Sequence, residues 1–208
     1  MHPINFSYTP AATNATGLAS GVAYAGGGYA LTATTPADRL AHIVTITGIA
    51  ATNHSGKTFT ITGTSADGVA QSEGIAGPNG AVVVSSTLYY KTVTSITVSA
   101  TTGADTFNLG WTAVAIGATF PLNWRDLNNF QVSLGLIITG TINVTVQHTL
   151  DGLHGEYVAS PAWFPHSTLV AKTASADGNY AFPVTATRLL INSVTASATV
   201  DFKVVQNN

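Results

Sequence analysis

Apolar and polar positions alternate with period two along most of the chain, which is the pattern of half-buried β-strands. Val44 and Ile46 alternate with Thr45 and Thr47, and Phe59 and Ile61 with Thr58, Thr60 and Thr62. Ile96 and Val98 sit between Ser95, Thr97 and Ser99, and Phe107, Leu109 and Trp111 form a further stripe. In the second half, Val132, Leu134, Leu136 and Ile138 predict one apolar face. Ile142, Val144, Val146 and Leu150 predict the next, and Val200, Phe202 and Val204 another. Threonine on the outward positions suits a pleated sheet, because its branched Cβ packs while its hydroxyl stays wet.

Turn signals separate these stripes: Asn53–Gly56, Asp67-Gly68, Pro78–Gly80, Gly103, Gly140, Asp151-Gly152 and Asp177-Gly178. Asp-Gly and Asn-Gly favour the positive φ of tight turns. Gly140 lies between two alternating runs, so 131–150 is predicted to be a hairpin. The tetrapeptide Ser-Ala-Asp-Gly occurs at 65–68 and at 175–178 and reads as turn chemistry used twice. No stretch has a sustained helical period; Asn123–Asn129 has room for one short helical turn. The expected fold is all-β, with two small antiparallel β-sandwich or jelly-roll-like domains at 31–116 and 117–208. Residues 1–30 have little periodicity and contain Gly26-Gly27-Gly28. They are expected to form an extended N-terminal arm, with Ile4, Phe6, Tyr8 and Leu18 available for burial against a neighbouring subunit.

Composition changes this picture in one respect. The chain has seven basic and nine acidic residues among 208, or 8% charged, but 32 threonines. A soluble domain is typically about 25% charged, and that charge discourages edge-to-edge sheet pairing. A surface of threonine, serine, glycine and alanine has given up most of that protection, as expected where much of it meets other subunits. Net charge of -2 offers no basic patch for nucleic acid. The absence of cysteine removes disulfides and thiolate chemistry. The N-terminus lacks the basic and apolar regions of a secretory signal, and the longest apolar run, Leu134–Ile138, is far short of a membrane helix. The expectation is a protein made in the cytoplasm, with neither nucleic acid nor membrane as partner.

Candidate chemistry is sparse. His148, His154 and His166 fall close together, with Asp151 and Glu156 among them. Zinc needs three or four convergent ligands on rigid elements, and this spacing matches no such motif, so no metal or other cofactor is expected. His42 and His54 bracket the first strand pair and read as surface or turn residues. There is no Gly-x-Ser-x-Gly elbow, no phosphate loop and no evident carboxylate pair, so no catalytic residue is assigned. Trp124, Tyr157, Trp163, Phe164 and Tyr180 concentrate in the second half. Trp163-Phe164 lies between Pro161 and Pro165, a rigid loop presenting two large rings. Phe6, Tyr8, Trp124, Trp163 and Phe164 are expected to serve an interface with other subunits, ahead of a sugar-stacking platform on the second-half aromatics.

Several blocks resemble small virion structural proteins of tailed bacteriophages. They are Val44–Thr47, Ser55–Thr64, Ala66–Gly68, Gly77–Asn79, Tyr89–Gly103, Val144–Thr149, Trp163–His166 and Leu169–Pro183. The resemblance implies a non-enzymatic particle component built in many copies and made in the host bacterial cytoplasm. Its implied partners are copies of itself and neighbouring virion proteins: portal, adaptor, tail or major capsid protein. It implies a tail- or neck-attached appendage ahead of a capsid decoration (cement) protein. A module binding host-surface glycan through the second-half aromatics is the reading from another class.

Overall fold

The computed structural model describes residues 3–124, 130–152, 161–195 and 197–206. Most of the helical turn expected at Asn123–Asn129, together with His154, Glu156 and Tyr157, lies outside the described residues. Fifteen strands follow one another: β1 (Ile4–Tyr8), β2 (Asn14–Ala23), β3 (Ala41–Gly48), β4 (Thr58–Thr64), β5 (Ala70–Ala76), β6 (Val83–Tyr90), β7 (Thr92–Val98) and β8 (Thr106–Ile116). Then come β9 (Phe120–Pro121), β10 (Val132–Thr139), β11 (Ile142–Thr149), β12 (Phe164–Pro165), β13 (Ala176–Tyr180), β14 (Ala186–Val194) and β15 (Thr199–Gln206). Among the described residues there is no helix. The chain is all-β with antiparallel sheets, in keeping with the sandwich type expected. It divides into two compact units: Ala11–Ala115, and Met1–Pro10 together with Ile116–Asn208.

The unit of Ala11–Ala115 is built on two sheets. One has the order β5-β4-β7; in the other β8 lies beside β3 and β3 beside β6, with β2 also paired to β8. The period-two stripes face inward as the sequence predicts: Val44, Ile46, Phe59, Ile61, Ile96, Val98, Phe107, Leu109 and Trp111 are buried in a single cluster. Tyr29 ties the sheets together, stacking on Phe59 at 5.9 Å and meeting Phe107 edge-on at 5.5 Å. β2 crosses β8 so closely that a Cβ on Gly110 would come within 2.0 Å of the Asn14 carbonyl oxygen, so only glycine fits there.

In the other unit one sheet has the order β1-β15-β10-β13, and in a second β12, β11 and β14 are neighbours, with β9 also on β14. Val132, Leu134 and Leu136 of β10, Val144 and Val146 of β11, and Val200, Phe202 and Val204 of β15 are buried.

Three local readings differ from expectation. The run 131–150 is not a hairpin: β10 pairs with β13 and β15, while β11 pairs with β12 and β14. Gly140 does turn the chain, at φ 82°, but the turn carries it from one sheet to the other. Leu150, just past β11, is exposed rather than continuing the apolar stripe. The second Ser-Ala-Asp-Gly is strand and not turn, since Asp177 and Gly178 pair with Gly135 and Leu134; the first is a turn, with Gly68 at φ 78°.

The first thirty residues also differ from an arm reaching outward. Residues 4–8 form β1, paired along its length with β15, and residues 14–23 form β2 on β8. The alternation of Ile4, Phe6 and Tyr8 is the strand signal. β2 lacks that signal because its register slips twice, between Asn14 and Ala19 and between Ala19 and Val22.

Candidate functional site

The interface residues expected from the sequence separate into three places. Phe6 and Tyr8 belong to β1. Tyr8 is buried, with its hydroxyl over Gly117, where an added Cβ would sit 2.9 Å from it. Phe6 is half-buried, edge-on to Phe120 at 5.6 Å and stacked on Phe202 at 6.3 Å. The Ser7 hydroxyl donates to Asp201 Oδ1 at 2.5 Å. Trp124 follows β9 and is exposed; beside it Asn123 and Gln206 exchange two hydrogen bonds of 2.9 Å.

Trp163 immediately precedes β12, and Phe164 is its first residue. The Arg188 guanidinium sits 4.0 Å over the Trp163 ring, and its Nε donates to Gln147 Oε1 at 2.8 Å. One face of the indole is therefore occupied within the chain, which weighs against a free sugar platform. Phe164 is not loop, as expected, but strand: it pairs with His148 across the β11–β12 edge and leaves 48% of its surface exposed. Phe182, which the sequence reading did not single out, is 51% exposed, and both rings lie about one ring diameter from His148, at 6.0 and 5.9 Å. The signal for it was present in Tyr180-Ala-Phe-Pro183, where a second aromatic precedes a proline.

The histidines depart most from expectation. His42 and His54 are buried, not surface residues. His42 Nδ1 faces the Thr112 carbonyl at 2.8 Å and Nε2 faces Asp38 Oδ2 at 2.8 Å. Both partners are acceptors, so the ring is held between two oxygens. The backbone amides of Ala11 and Leu40 donate to the same carboxylate. Burial raises the Asp38 pKa, but the hydrogen bond and charge of His42 and these two amides outweigh it and hold the carboxyl below the ordinary aspartate value. The cue in the sequence is Asp38 four residues ahead of a histidine in an apolar strand.

His54 Nδ1 accepts from the Lys57 ammonium at 3.1 Å, and its Nε2 donates to Asp105 Oδ2 at 2.9 Å. Lys57 also donates to the Thr101 carbonyl at 2.6 Å, so the three groups staple loops 52–57 and 101–105 together. Hydrogen bonds from Thr52 and then His54 lower the Asp105 pKa.

His166 accepts the Thr168 and Leu169 amides at Nδ1 and donates from Nε2 to the Asn179 carbonyl at 3.1 Å. No lone pair is left on it for a metal. His148 also meets the Tyr180 ring, edge-on at 5.1 Å. Burial first, and His166 second, push its pKa below the ordinary histidine value. Among the described residues its Nδ1 has no hydrogen-bond partner, and no cluster of three metal-ligating side chains occurs.

Several large apolar side chains are exposed on or beside strands. Val83 and Leu88 are exposed on β6, with Val82 just before it. A bulge in β6 opposite Val44 turns two amides away from the β3 ladder, and Glu73 of β5 reaches across to take them: Thr87 N–H at 2.8 Å and Leu88 N–H at 3.0 Å. Glu73 thus serves as one of the few guards on an open edge. Glu73→Ala should destabilise the protein by about 1–3 kcal/mol and raise its rate of self-association. Light scattering against time, beside urea unfolding, checks this; unchanged scattering would remove the edge-guard role.

No family model matches the chain, and no curated protein matches it. A likeness among solved structures is to one described as the structure of infectious bursal disease virus, Gx strain. It has 10% identity, covers 96% of this chain and 66% of that chain, and has a TM-score of 0.20. At that score the likeness bears on neither fold family nor activity.

Proposed function

We infer that the chain is a non-enzymatic structural subunit of a tailed-bacteriophage particle. On this reading it works by assembling in multiple copies, on the tail or neck rather than on the head lattice. The observation that carries the assembly reading is the exchange of charge for apolar surface at strand edges. Only 8% of residues are charged, while Val83, Leu88, Phe164 and Phe182 stand exposed on or beside β6, β12 and β13. Large apolar side chains rimmed by threonine and serine are suited to burial against another protein. The polar groups that attract attention as chemistry are committed to holding the fold: both nitrogens of His42, His54 and His166 are taken. The phage assignment rests on the resemblance of the Ser55–Thr64, Tyr89–Gly103 and Leu169–Pro183 blocks.

Imaging of purified particles tests both parts. A small fixed number of copies at one vertex is the expected result. Density spread over the capsid lattice would make the chain a decoration protein, and absence from particles would overturn the reading. Sedimentation of the isolated protein should show concentration-dependent oligomers; a monomer at high concentration would count against assembly.

A further inference from the structure

We propose that β1 is an exchangeable strand, and that in the assembled protein the β1 of one copy pairs with β15 of a second copy. The inference rests on the assembly reading above and names the contact that makes it.

Among the described residues β1 is the outermost strand of its sheet, and β15 is its one partner in the strand order. It behaves as a plug in a socket. Tyr8 fills a slot that exists because residue 117 has no side chain, Phe6 wedges between Phe120 and Phe202, and Ser7 bonds Asp201. Every copy carries both halves. A strand supplied by a neighbour makes the same bonds, in the same register from Ile4 against Val204 to Tyr8 against Val200. Exchange of identical elements therefore keeps every native contact and pays only for association.

The connection to β1 favours that outcome. Between Tyr8, the last paired residue, and Ala11, whose amide is fixed on buried Asp38 at 2.8 Å, lie only Thr9 and Pro10. A residue before proline favours extended backbone, so the connection is short and Thr9 is stiff. Short, stiff hinges of this kind promote swapping between copies. Even when paired, Ile4 is exposed and Phe6 only half-buried.

The absence of cysteine makes a clean test available. Asn5 and Lys203 are opposed across the two strands, and both are exposed, so Asn5→Cys and Lys203→Cys are mild substitutions. The two single variants are mixed, allowed to assemble, oxidised with diamide and run on a non-reducing denaturing gel. Exchange predicts a covalent heterodimer as the main product of the mixture, several-fold above the homodimers of either variant alone. The double variant in one chain should give covalent multimers. Inserting four Gly-Ser residues after Pro10 should shift the double variant towards an internally closed single chain.

Oligomers in which the double variant closes only within single chains, with no heterodimer from the mixture, would overturn exchange and leave the assembly reading standing. A protein that stays monomeric throughout, with the internal crosslink formed, would overturn both.

Discussion

Phe107→Ala should destabilise the unit of Ala11–Ala115 by about 3–5 kcal/mol, a large part of the roughly 5–15 kcal/mol that holds a typical domain together. Phe107 is fully buried, and its ring is the point where three others converge: Tyr29 at 5.5 Å, Phe59 at 5.3 Å and His54 at 5.3 Å. Tyr29 and Phe59 belong to the packing between the two sheets, and His54 to the stapled loops. Truncation therefore leaves a cavity whose walls are fixed by separate elements, and collapse to fill it is limited. Urea unfolding reads the effect as a lower midpoint. Val69→Ala, at a side chain 54% exposed, should change stability by no more than about 0.5 kcal/mol. Equal midpoints for the two variants would show that the ring cluster does not hold the sheets together.

Asp38→Ala should be comparably damaging, at about 3–5 kcal/mol, for an electrostatic reason. The side chains of His42 and Asp38 are 1% and 4% exposed. Removing the carboxylate leaves the buried His42 Nε2 and the Ala11 and Leu40 amides without their partner. Tyr90, opposite His42 on β6, has its pKa pushed up to about 12 by burial and then by Glu73, so it stays neutral and cannot replace the lost charge. The pH dependence has a definite sign. A carboxyl whose folded pKa is lowered contributes stability above its unfolded value of about 3.9, and that contribution disappears as pH falls through the folded value. The unaltered protein should therefore lose melting temperature below about pH 4. Asp38→Ala should start lower and show a shallower acid limb. Parallel acid limbs in thermal melts from pH 6 to pH 2 would remove Asp38 as their source.

The strands themselves were legible because burial on one face imposes period two on the residues. Val44 and Ile46, Phe59 and Ile61, Val132 and Leu134, and Phe202 and Val204 all point inward as read. Partner choice was not legible. A turn at Gly140 looks the same in sequence whether the next strand lies beside the last or in another sheet, since both arrangements bury one face of each strand. The second Asp-Gly was misleading for a related reason: Gly178 can sit in β13 where a side chain would crowd Leu169 and His166, at 3.1 and 3.0 Å. The buried histidines escaped notice because a polar residue in a strand reads as outward-facing until its partner is known. Asp38 lies only four residues before His42, but Asp105 is 51 residues from His54 and meets it only once the chain is folded. Among the expected interface residues, Phe6 and Tyr8 were recognisable as apolar anchors, but what they anchor to lies at the other end of the chain.

That separation has a consequence for the protein as it is being made. β1 leaves the ribosome about 190 residues before β15 begins, and at about 5–20 residues per second the delay is on the order of ten to forty seconds. During that time Ala11–Ala115 can complete its own core, while Ile4, Phe6 and Tyr8 wait as an unpaired apolar strand. On a polysome, chains just released carry finished β15 edges within reach of strands still waiting for theirs. On the proposed exchange, the crowding of translation and any chaperone that covers the first ten residues help to set how copies of this protein first meet.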